Sequence, residues 1–181
     1  MLQKNLLERG NNVFHIGDKV FHPTRGAGTI VEIKELRSLG PARKYYSISL
    51  LSQRQTMLMV AVKTAQEIGL RPPLHQSDLD QVWGVLQDDP ETLPTDHEQR
   101  YELLKDRLRE GNALHIASVL RDMAWREEKE RRLTKQGKEL YEEGLTLLAG
   151  EVAIIQDSDL ATAEAQIVDI LRKSVTTEVA S

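Results

Sequence analysis

Short runs of alternating apolar and polar residues occupy the first part of the chain. The alternation is visible in residues 14–21, 28–36 and 44–51, and the run from Gln55 to Val62 is apolar on both of its faces. Glycine and proline residues separate the first three runs, and a short polar turn at Ser52-Gln53-Arg54 precedes the fourth, as is typical of tight turns between strands. We therefore predict a small antiparallel β-barrel over residues 13–72, built from roughly four or five short strands.

From residue 76 onwards, apolar residues recur every three or four positions, which is the spacing of amphipathic helices. Five such segments can be separated, and a residue of a type that caps helices precedes each one. The predicted caps are Ser77, Thr95, Asn112, Thr134 and Ser158. This pattern predicts a compact five-helix domain over residues 76–173 and, with the β-domain, an α+β fold. We predict a stiff linker at Arg71–Pro73, a flexible arm at residues 1–12 and a disordered tail at residues 174–181.

The composition excludes several classes of protein. The 181 residues include no cysteine, which rules out a disulfide scaffold, a thiol nucleophile and a thiolate metal site. No apolar run approaches the ~18 residues that a membrane helix needs. The first residues lack the continuous apolar core of a signal peptide. We therefore expect a cytoplasmic protein with no membrane partner.

The net charge of -4 averages two very different halves. Residues 1–72 contain 11 Lys and Arg against 5 Asp and Glu, a net charge of +6. Residues 73–181 contain 13 Lys and Arg against 23 Asp and Glu, a net charge of -10. A charge step at the predicted domain boundary indicates two units with different surfaces and different partners.

Motifs of common enzymes are incomplete or missing in this sequence. Gly26-Ala27-Gly28 lacks the third glycine of a dinucleotide-binding motif and leads into a predicted strand. His97-Glu98 begins like the helix of a zinc protease, but Tyr101 stands where the second histidine would be. There is no phosphate-binding glycine loop and no nucleophile elbow. We therefore expect a protein that is not an enzyme and that binds no metal or cofactor.

The apolar run from Gln55 to Val62 is the first candidate binding surface. Its two faces carry Met57, Met59 and Ala61 on one side and Leu58, Val60 and Val62 on the other. A strand that is apolar on both faces is either a covered central strand or an edge that accepts a partner strand. Both alternatives stay open at this stage. Basic residues that would attract an acidic partner lie nearby in sequence: Lys34, Arg37, Arg43, Lys44 and Arg54.

A basic cluster in the acidic half is the second candidate surface. From Arg121 to Lys138 there are 7 Lys and Arg against 4 Asp and Glu. A local excess of positive charge favours contact with phosphate groups, and the predicted start of a helix at Thr134 would add free backbone N–H groups. The alternative is a solvated face of ion pairs, because glutamates are interleaved. The basic cluster comprises Arg126, Lys129, Arg131, Arg132, Lys135 and Lys138.

Short motifs follow one another in a defined order along most of the chain. The N-terminal motifs are Phe14-x-x-Gly17-Asp18-x-Val20, His22-Pro23, Gly26-x-Gly28, Tyr45-Tyr46, Met57-Leu58-Met59-Val60 and Ile68-Gly69-Leu70-Arg71. The C-terminal motifs are Arg100-Tyr101, Leu108, Gly111, Ile116-Ala117-x-Val119-Leu120-Arg121-Asp122-Met123, Leu133-Thr134, Lys138 and Leu147-Leu148-x-x-Glu151. In this order and spacing, the chain resembles the CarD/CdnL family of bacterial transcription regulators.

The resemblance implies a regulator without catalysis. Its N-terminal domain would be a Tudor-like or SH3-like barrel that binds the β subunit of bacterial RNA polymerase by pairing with a strand edge. The polymerase contacts expected from the resemblance and the pattern are Lys34, Arg37, Met57, Leu58, Met59 and Val60. We expect the protein to be a monomer that associates with the nucleoid through the polymerase.

The resemblance also implies that the helical domain meets promoter DNA at the upstream edge of the melted region. In the family, a tryptophan in a Trp-x-x-Arg-Tyr motif wedges into the minor groove there and holds the bubble open. This chain has His97 at the position of that tryptophan. The expected DNA contacts are His97, Arg100, Arg126, Arg132, Lys135 and Lys138. The expected function is modulation of open-complex stability, and the alternative is a polymerase-binding adaptor or competitor without productive DNA contact.

Overall fold

The structure, a computed structural model, describes residues 14–37, 41–53 and 55–179. The predicted arm at residues 1–12 and the basic residue Arg54 lie outside the described residues. The strands are β1 (Lys19–His22), β2 (Gly26–Leu36), β3 (Arg43–Leu50) and β4 (Met57–Ala61). The helices are α1 (Leu79–Gln87), α2 (His97–Arg109), α3 (Ala113–Glu130), α4 (Lys135–Gln156) and α5 (Leu160–Val179). The predicted α+β fold, with an N-terminal β-domain and five helices after it, is confirmed.

The strands form one antiparallel sheet in the order β1-β2-β3-β4. Alternate side chains of the sheet point into a single apolar core, which contains Ile30, Tyr46, Ile48 and Val60. Tyr46 is almost fully buried in this core. Its hydroxyl accepts a hydrogen bond from the Phe14 N–H at 3.1 Å, and its ring meets that of Phe14 edge-on with 5.9 Å between the ring centres. The alternation predicted for residues 44–51 is therefore confirmed.

The predicted closure into a barrel differs from the observed sheet. Among the described strands, β4 does not pair with β1, so the sheet is open, although it remains compatible with a Tudor-like domain. The physical reason is that residues outside the strands cover the core: Phe14 precedes the sheet, and Ala65 and Leu70 follow it. Part of the free backbone edge of β1 is hydrogen-bonded to Arg71, whose N–H donates to the Phe21 carbonyl at 3.1 Å.

Two of the five predicted helix caps are correct. The Asn112 side chain accepts hydrogen bonds from the N–H groups that open α3, and the Thr134 hydroxyl accepts from Gly137 N–H at 3.1 Å to cap α4. The caps of the other three helices lie one residue later than predicted. Thr95 and Ser158 each precede an aspartate whose carboxylate accepts the capping hydrogen bond, because it has two oxygens and a charge that favours a helix N-terminus. At α1 the cap residue also follows the predicted serine, but its side chain makes no capping hydrogen bond. The observed residues are Asp96, Asp159 and Asp78.

The tail predicted to be disordered from residue 174 is helical as far as Val179, where α5 ends. Val175 is buried, and the Ser174 hydroxyl donates to the Gln87 carbonyl at the end of α1, at 3.2 Å. The segment was predicted to be disordered because its composition is polar, but its contact with α1 holds it in the helical domain. Residues 180–181 lie outside the described residues.

The β-domain and the helical domain share part of one apolar core. Phe21 of β1 and Ala27 of β2 are buried within the cluster formed by the helices, beside Leu147 and Val152 of α4. Pro23 is also buried at this junction. The two domains are therefore packed against each other, and the segment that joins them runs along this interface.

Candidate functional site

β4 is an edge of the sheet, because among the described strands it pairs with β3 alone. Among the described strands, the apolar run is therefore an edge and not a covered central strand. An edge strand presents unpaired N–H and C=O groups to solvent, where another strand can pair with them. Met57 and Met59 project from this edge with 52% and 39% of their surface exposed.

The other side chains of β4 point away from solvent. Leu58 lies opposite Ile48 of β3, and Val60 lies opposite Tyr46. Val60 is buried and Leu58 packs against the sheet core. These two predicted contact residues can therefore meet a partner through their backbone groups at the edge, whereas their side chains hold the strand in place.

Lys34 and Arg37 extend the edge surface with positive charge. Lys34 lies opposite Tyr45, which in turn lies opposite Ala61, so Lys34 shares the outer face of the sheet with the exposed methionines. Its Nζ is 3.1 Å from a Glu32 carboxylate oxygen. Arg37 is exposed just past the end of β2. The outer face therefore combines apolar side chains with cations at its border.

A second surface forms where the first turn of α2, the end of α3 and the start of α4 meet. His97, Arg100 and Arg126 line a narrow pocket of about 20 Å³, together with Thr134 and Gly137. They come from three helices, α2, α3 and the start of α4, that are far apart in sequence. The first turn of α4 also brings the positive end of a helix dipole to this surface. We call this surface the basic face.

Arg100 has a structural role on the basic face. Only 8% of its surface is exposed, and its Nη1 donates to the carbonyls of Pro94 and Thr95 at 2.8 and 3.0 Å. Burial, and in second place the neighbouring Arg126, lower the pKa of Arg100. The guanidinium holds the loop before α2 against the helix, so a phosphate would have to displace it from these carbonyls.

Glutamates pair with part of the basic cluster, so the alternative of an ion-paired face is partly realised. Arg126 Nη2 lies 2.5 Å from Glu130 Oε1, and Arg131 Nη1 lies 2.9 Å from Glu128 Oε1. The exposed cations along the start of α4 are Arg132, Lys135 and Lys138. Four of the six predicted DNA contacts, His97 among them, are exposed, whereas Arg100 is buried and Arg126 is half-buried.

A partly buried polar network in the helical domain was not predicted from the sequence. Arg121 Nη2 lies 2.8 Å from Asp122 Oδ1 and 3.2 Å from Glu91, and Arg107 Nη2 lies 2.8 Å from the same glutamate. The Arg107 hydrogen bond makes the largest contribution to lowering the pKa of Glu91, whereas burial raises that of Asp122. The network holds the loop between α1 and α2 against α3. Within it, only the Arg121-Asp122 pair could be recognised in the sequence, as part of a family motif.

Neither tryptophan lines the pocket of the basic face. Trp83 packs against the core of the helical domain. Trp125 is half-buried and lines a separate groove of about 550 Å³ beside Pro90 and Leu93. The position of the family's wedge residue is therefore occupied by an exposed histidine at the first residue of α2.

The described residues contain no group of three or more His, Asp or Glu side chains that could hold a metal ion. Within the same residues, none of the helices has the length and apolar character needed to cross a membrane.

Comparison with known proteins identifies the family of both domains. Residues 14–73 match the CarD-like/TRCF RID domain, and residues 81–168 match the CarD C-terminal domain. The chain belongs to the CarD family. It is also 26% identical over 144 residues to a Bacillus subtilis (strain 168) protein named "Putative transcription factor YdeB", covering 80% of this chain and 93% of that protein. The resemblance found in the motifs is confirmed, and this CarD-like protein has a role related to transcription.

Proposed function

We propose that this protein binds the β subunit of RNA polymerase through the edge of β4 and contacts promoter DNA with its basic face, and that it thereby changes the lifetime of the open complex. The observation that carries the proposal is the unpaired edge of β4, with Met57 and Met59 exposed, in a domain that matches the CarD-like/TRCF RID domain.

Pairing with a strand of the polymerase would explain why alternate side chains of β4 are exposed while the others hold the strand against the sheet core. A strand of the polymerase that pairs with the edge receives main-chain hydrogen bonds from every second residue of β4. The side chains of the polymerase strand that point to the outer face lie beside Met57 and Met59, whose flexible side chains adapt to an apolar partner. Lys34 and Arg37 favour a partner with acidic residues beside the paired strand.

The DNA contact is weak by itself in this proposal. The half of the chain that contains the helical domain has a net charge of -10, so phosphate contact depends on the local cations at the basic face. Lys138, Lys135 and Arg132 meet phosphates, and His97 faces the minor groove. Polymerase binding raises the local concentration of promoter DNA at this face, which compensates for the low intrinsic affinity.

An adaptor without productive DNA contact is the second candidate function. It is favoured by the first turn of α2, where an exposed histidine replaces the tryptophan and lies between Asp96 and Glu98. Histidine buries less apolar area than tryptophan, and two carboxylates repel phosphate. In that case the protein competes for the β subunit and leaves promoter opening to other factors.

The polymerase contact is tested with Met59→Glu. A carboxylate at this exposed position of β4 opposes apolar contact with the added strand, and we expect affinity for the purified β subunit to fall about tenfold or more in surface plasmon resonance. Leu103→Glu is the matched control, because Leu103 is 37% exposed on α2 in the other domain. Binding that is weakened equally by both changes would contradict the assignment to β4, and absence of wild-type binding would contradict both candidate functions.

The DNA contact is tested by the lifetime of the open complex on a promoter template. We expect the wild-type protein to lengthen the lifetime, and His97→Ala and Lys138→Glu to reduce that effect while β binding is retained. If both variants act like the wild type, the DNA contact is wrong. If the wild-type protein binds β but leaves the lifetime unchanged, the adaptor is the correct function.

A further inference from the structure

A charged contact lies at the centre of the interface between the two domains. Arg71, at the end of the β-domain, donates from Nη1 to Glu151 Oε1 at 2.6 Å and from Nη2 to Oε2 at 2.9 Å. Glu151 belongs to α4, and its side chain is only 1% exposed. A bidentate pair of this kind defines both the distance and the angle between its two groups.

Neighbouring groups complete the hydrogen bonding of this pair. Arg71 Nη2 also donates to the carbonyl of Gly111, in the turn between α2 and α3, at 2.8 Å. Leu74 N–H donates to Glu151 Oε1 at 2.9 Å. The guanidinium lies over the ring of Phe21, 4.3 Å from its centre. Arg71 thus connects a strand of the β-domain, the α2–α3 turn and α4.

Close backbone packing surrounds the charged contact. A Cβ atom at Gly111 would lie 2.6 Å from Pro23 Cα, and one at Gly150 would lie 3.4 Å from Ala27 Cβ. These contacts limit how far one domain can slide along the other, whereas the bidentate pair specifies the angle between them.

We propose that Arg71, through Glu151, is the positioning residue that sets the angle between the polymerase-binding edge and the basic face. This inference rests on the proposed function, because the angle matters only if both surfaces are used at once. A fixed angle holds the basic face at one place on the promoter when β4 is bound. A loose joint spreads that face over many positions and lowers its effective concentration.

The angle is measured directly in the free protein. Because the chain contains no cysteine, Lys44→Cys and Ala165→Cys place two spin labels at exposed positions, one in each domain. Electron–electron double resonance is expected to give one narrow distance distribution for the otherwise unchanged chain. The double variant R71Q/E151Q, which removes the pair without leaving one buried charge alone, is expected to give a broad distribution.

Two further variants separate positioning from general stability. E91Q/R107Q removes an ion pair that lies within the helical domain, and we expect its distance distribution to stay narrow. R71K keeps the charge but loses the second hydrogen bond of the fork, so we expect an intermediate width. A narrow distribution in R71Q/E151Q, or equal broadening in E91Q/R107Q, would overturn the positioning role. Circular dichroism checks that every variant is folded.

The functional consequence is measured on the polymerase with the unlabelled variants. R71Q/E151Q is expected to bind the β subunit within about twofold of the wild type but to lose most of its effect on open-complex lifetime. An unchanged lifetime with a broadened distance distribution would overturn the coupling. If the wild-type protein fails to bind β, the proposed function fails, whereas the distance measurements still decide whether Arg71 sets the angle.

Discussion

Among single residues, His22 beside the domain junction is expected to make the stability of the fold depend on pH. It lies at the end of β1, half-buried, and its Nδ1 accepts a hydrogen bond from Thr24 N–H at 3.3 Å. Burial, and in second place the positive charge of Arg25, lower the pKa of His22 from its ordinary value of 6.5. Both observations favour the neutral ring, because a protonated Nδ1 cannot accept a hydrogen bond.

Acidification is therefore expected to destabilise the protein through His22. Its pKa is lower in the folded state than in the unfolded state, so the contribution of the neutral ring is fully present above 6.5 and is lost as the pH falls through the folded pKa. Urea unfolding at about pH 8 and pH 5 compares the wild type with His22→Asn. Asparagine keeps an acceptor for Thr24 N–H but does not titrate.

The variant is expected to lose less stability on acidification than the wild type. Since the other four histidines remain in both proteins, their contributions cancel in the comparison. Equal losses in the two proteins would show that His22 is not the group responsible.

Among the elements, α4 connects the fold to the candidate site. Its N-terminus borders the pocket of the basic face, and farther along the helix Glu151 pairs with Arg71. The helix begins where the Thr134 hydroxyl accepts from Gly137 N–H. Because Lys138 follows one turn later, the cap that starts the helix also determines where this cation stands.

Thr134→Ala is expected to lower the free energy of unfolding by about 1 kcal/mol, which is typical for loss of an N-cap hydrogen bond. Thr134→Ser retains the capping oxygen and is expected to lose much less. Urea denaturation monitored by circular dichroism measures both variants. An equal loss in the serine variant would mean that the methyl group, and not the hydrogen bond, supplies the stability.

In the whole molecule, the two domains act as one folding unit because they share a core. Phe21 and Ala27 are buried among side chains of the helices, so unfolding of either domain exposes apolar surface of the other. Gly111 is part of this junction, with a φ of +65° and its Cα facing Pro23. We expect calorimetry to show one cooperative transition.

Gly111→Ala is expected to lower the melting temperature of that single transition. A side chain is strained at positive φ by roughly 1–3 kcal/mol, and its Cβ would also collide with the backbone of Pro23. Gly84→Ala is the matched control, because Gly84 is exposed in α1 with no atom within 4 Å of the added Cβ. That change is expected to stabilise by about 0.5–1 kcal/mol. Equal effects of the two substitutions would contradict the role of the junction.

The elements of this fold were predictable where their signal is local. Alternation along 44–51 identifies β3, because a strand directs successive side chains to opposite faces. The caps at Asn112 and Thr134 were also predictable, since a cap interacts with the backbone of the next turn. Thr95 was wrong because Asp96 beside it offers a competing acceptor, and local sequence does not rank two adjacent caps.

By itself, the sequence determined the fold class, the family and the charge difference between the two halves, and it predicted the residues of the two candidate surfaces. Only the tertiary structure decided that β4 is an edge, that Arg100 is buried against two carbonyls and that Arg71 meets Glu151. The physical reason is the range of the interactions. Periodicity and capping act within a few residues, whereas edge pairing, burial and the domain angle depend on partners that the chain brings together only by folding.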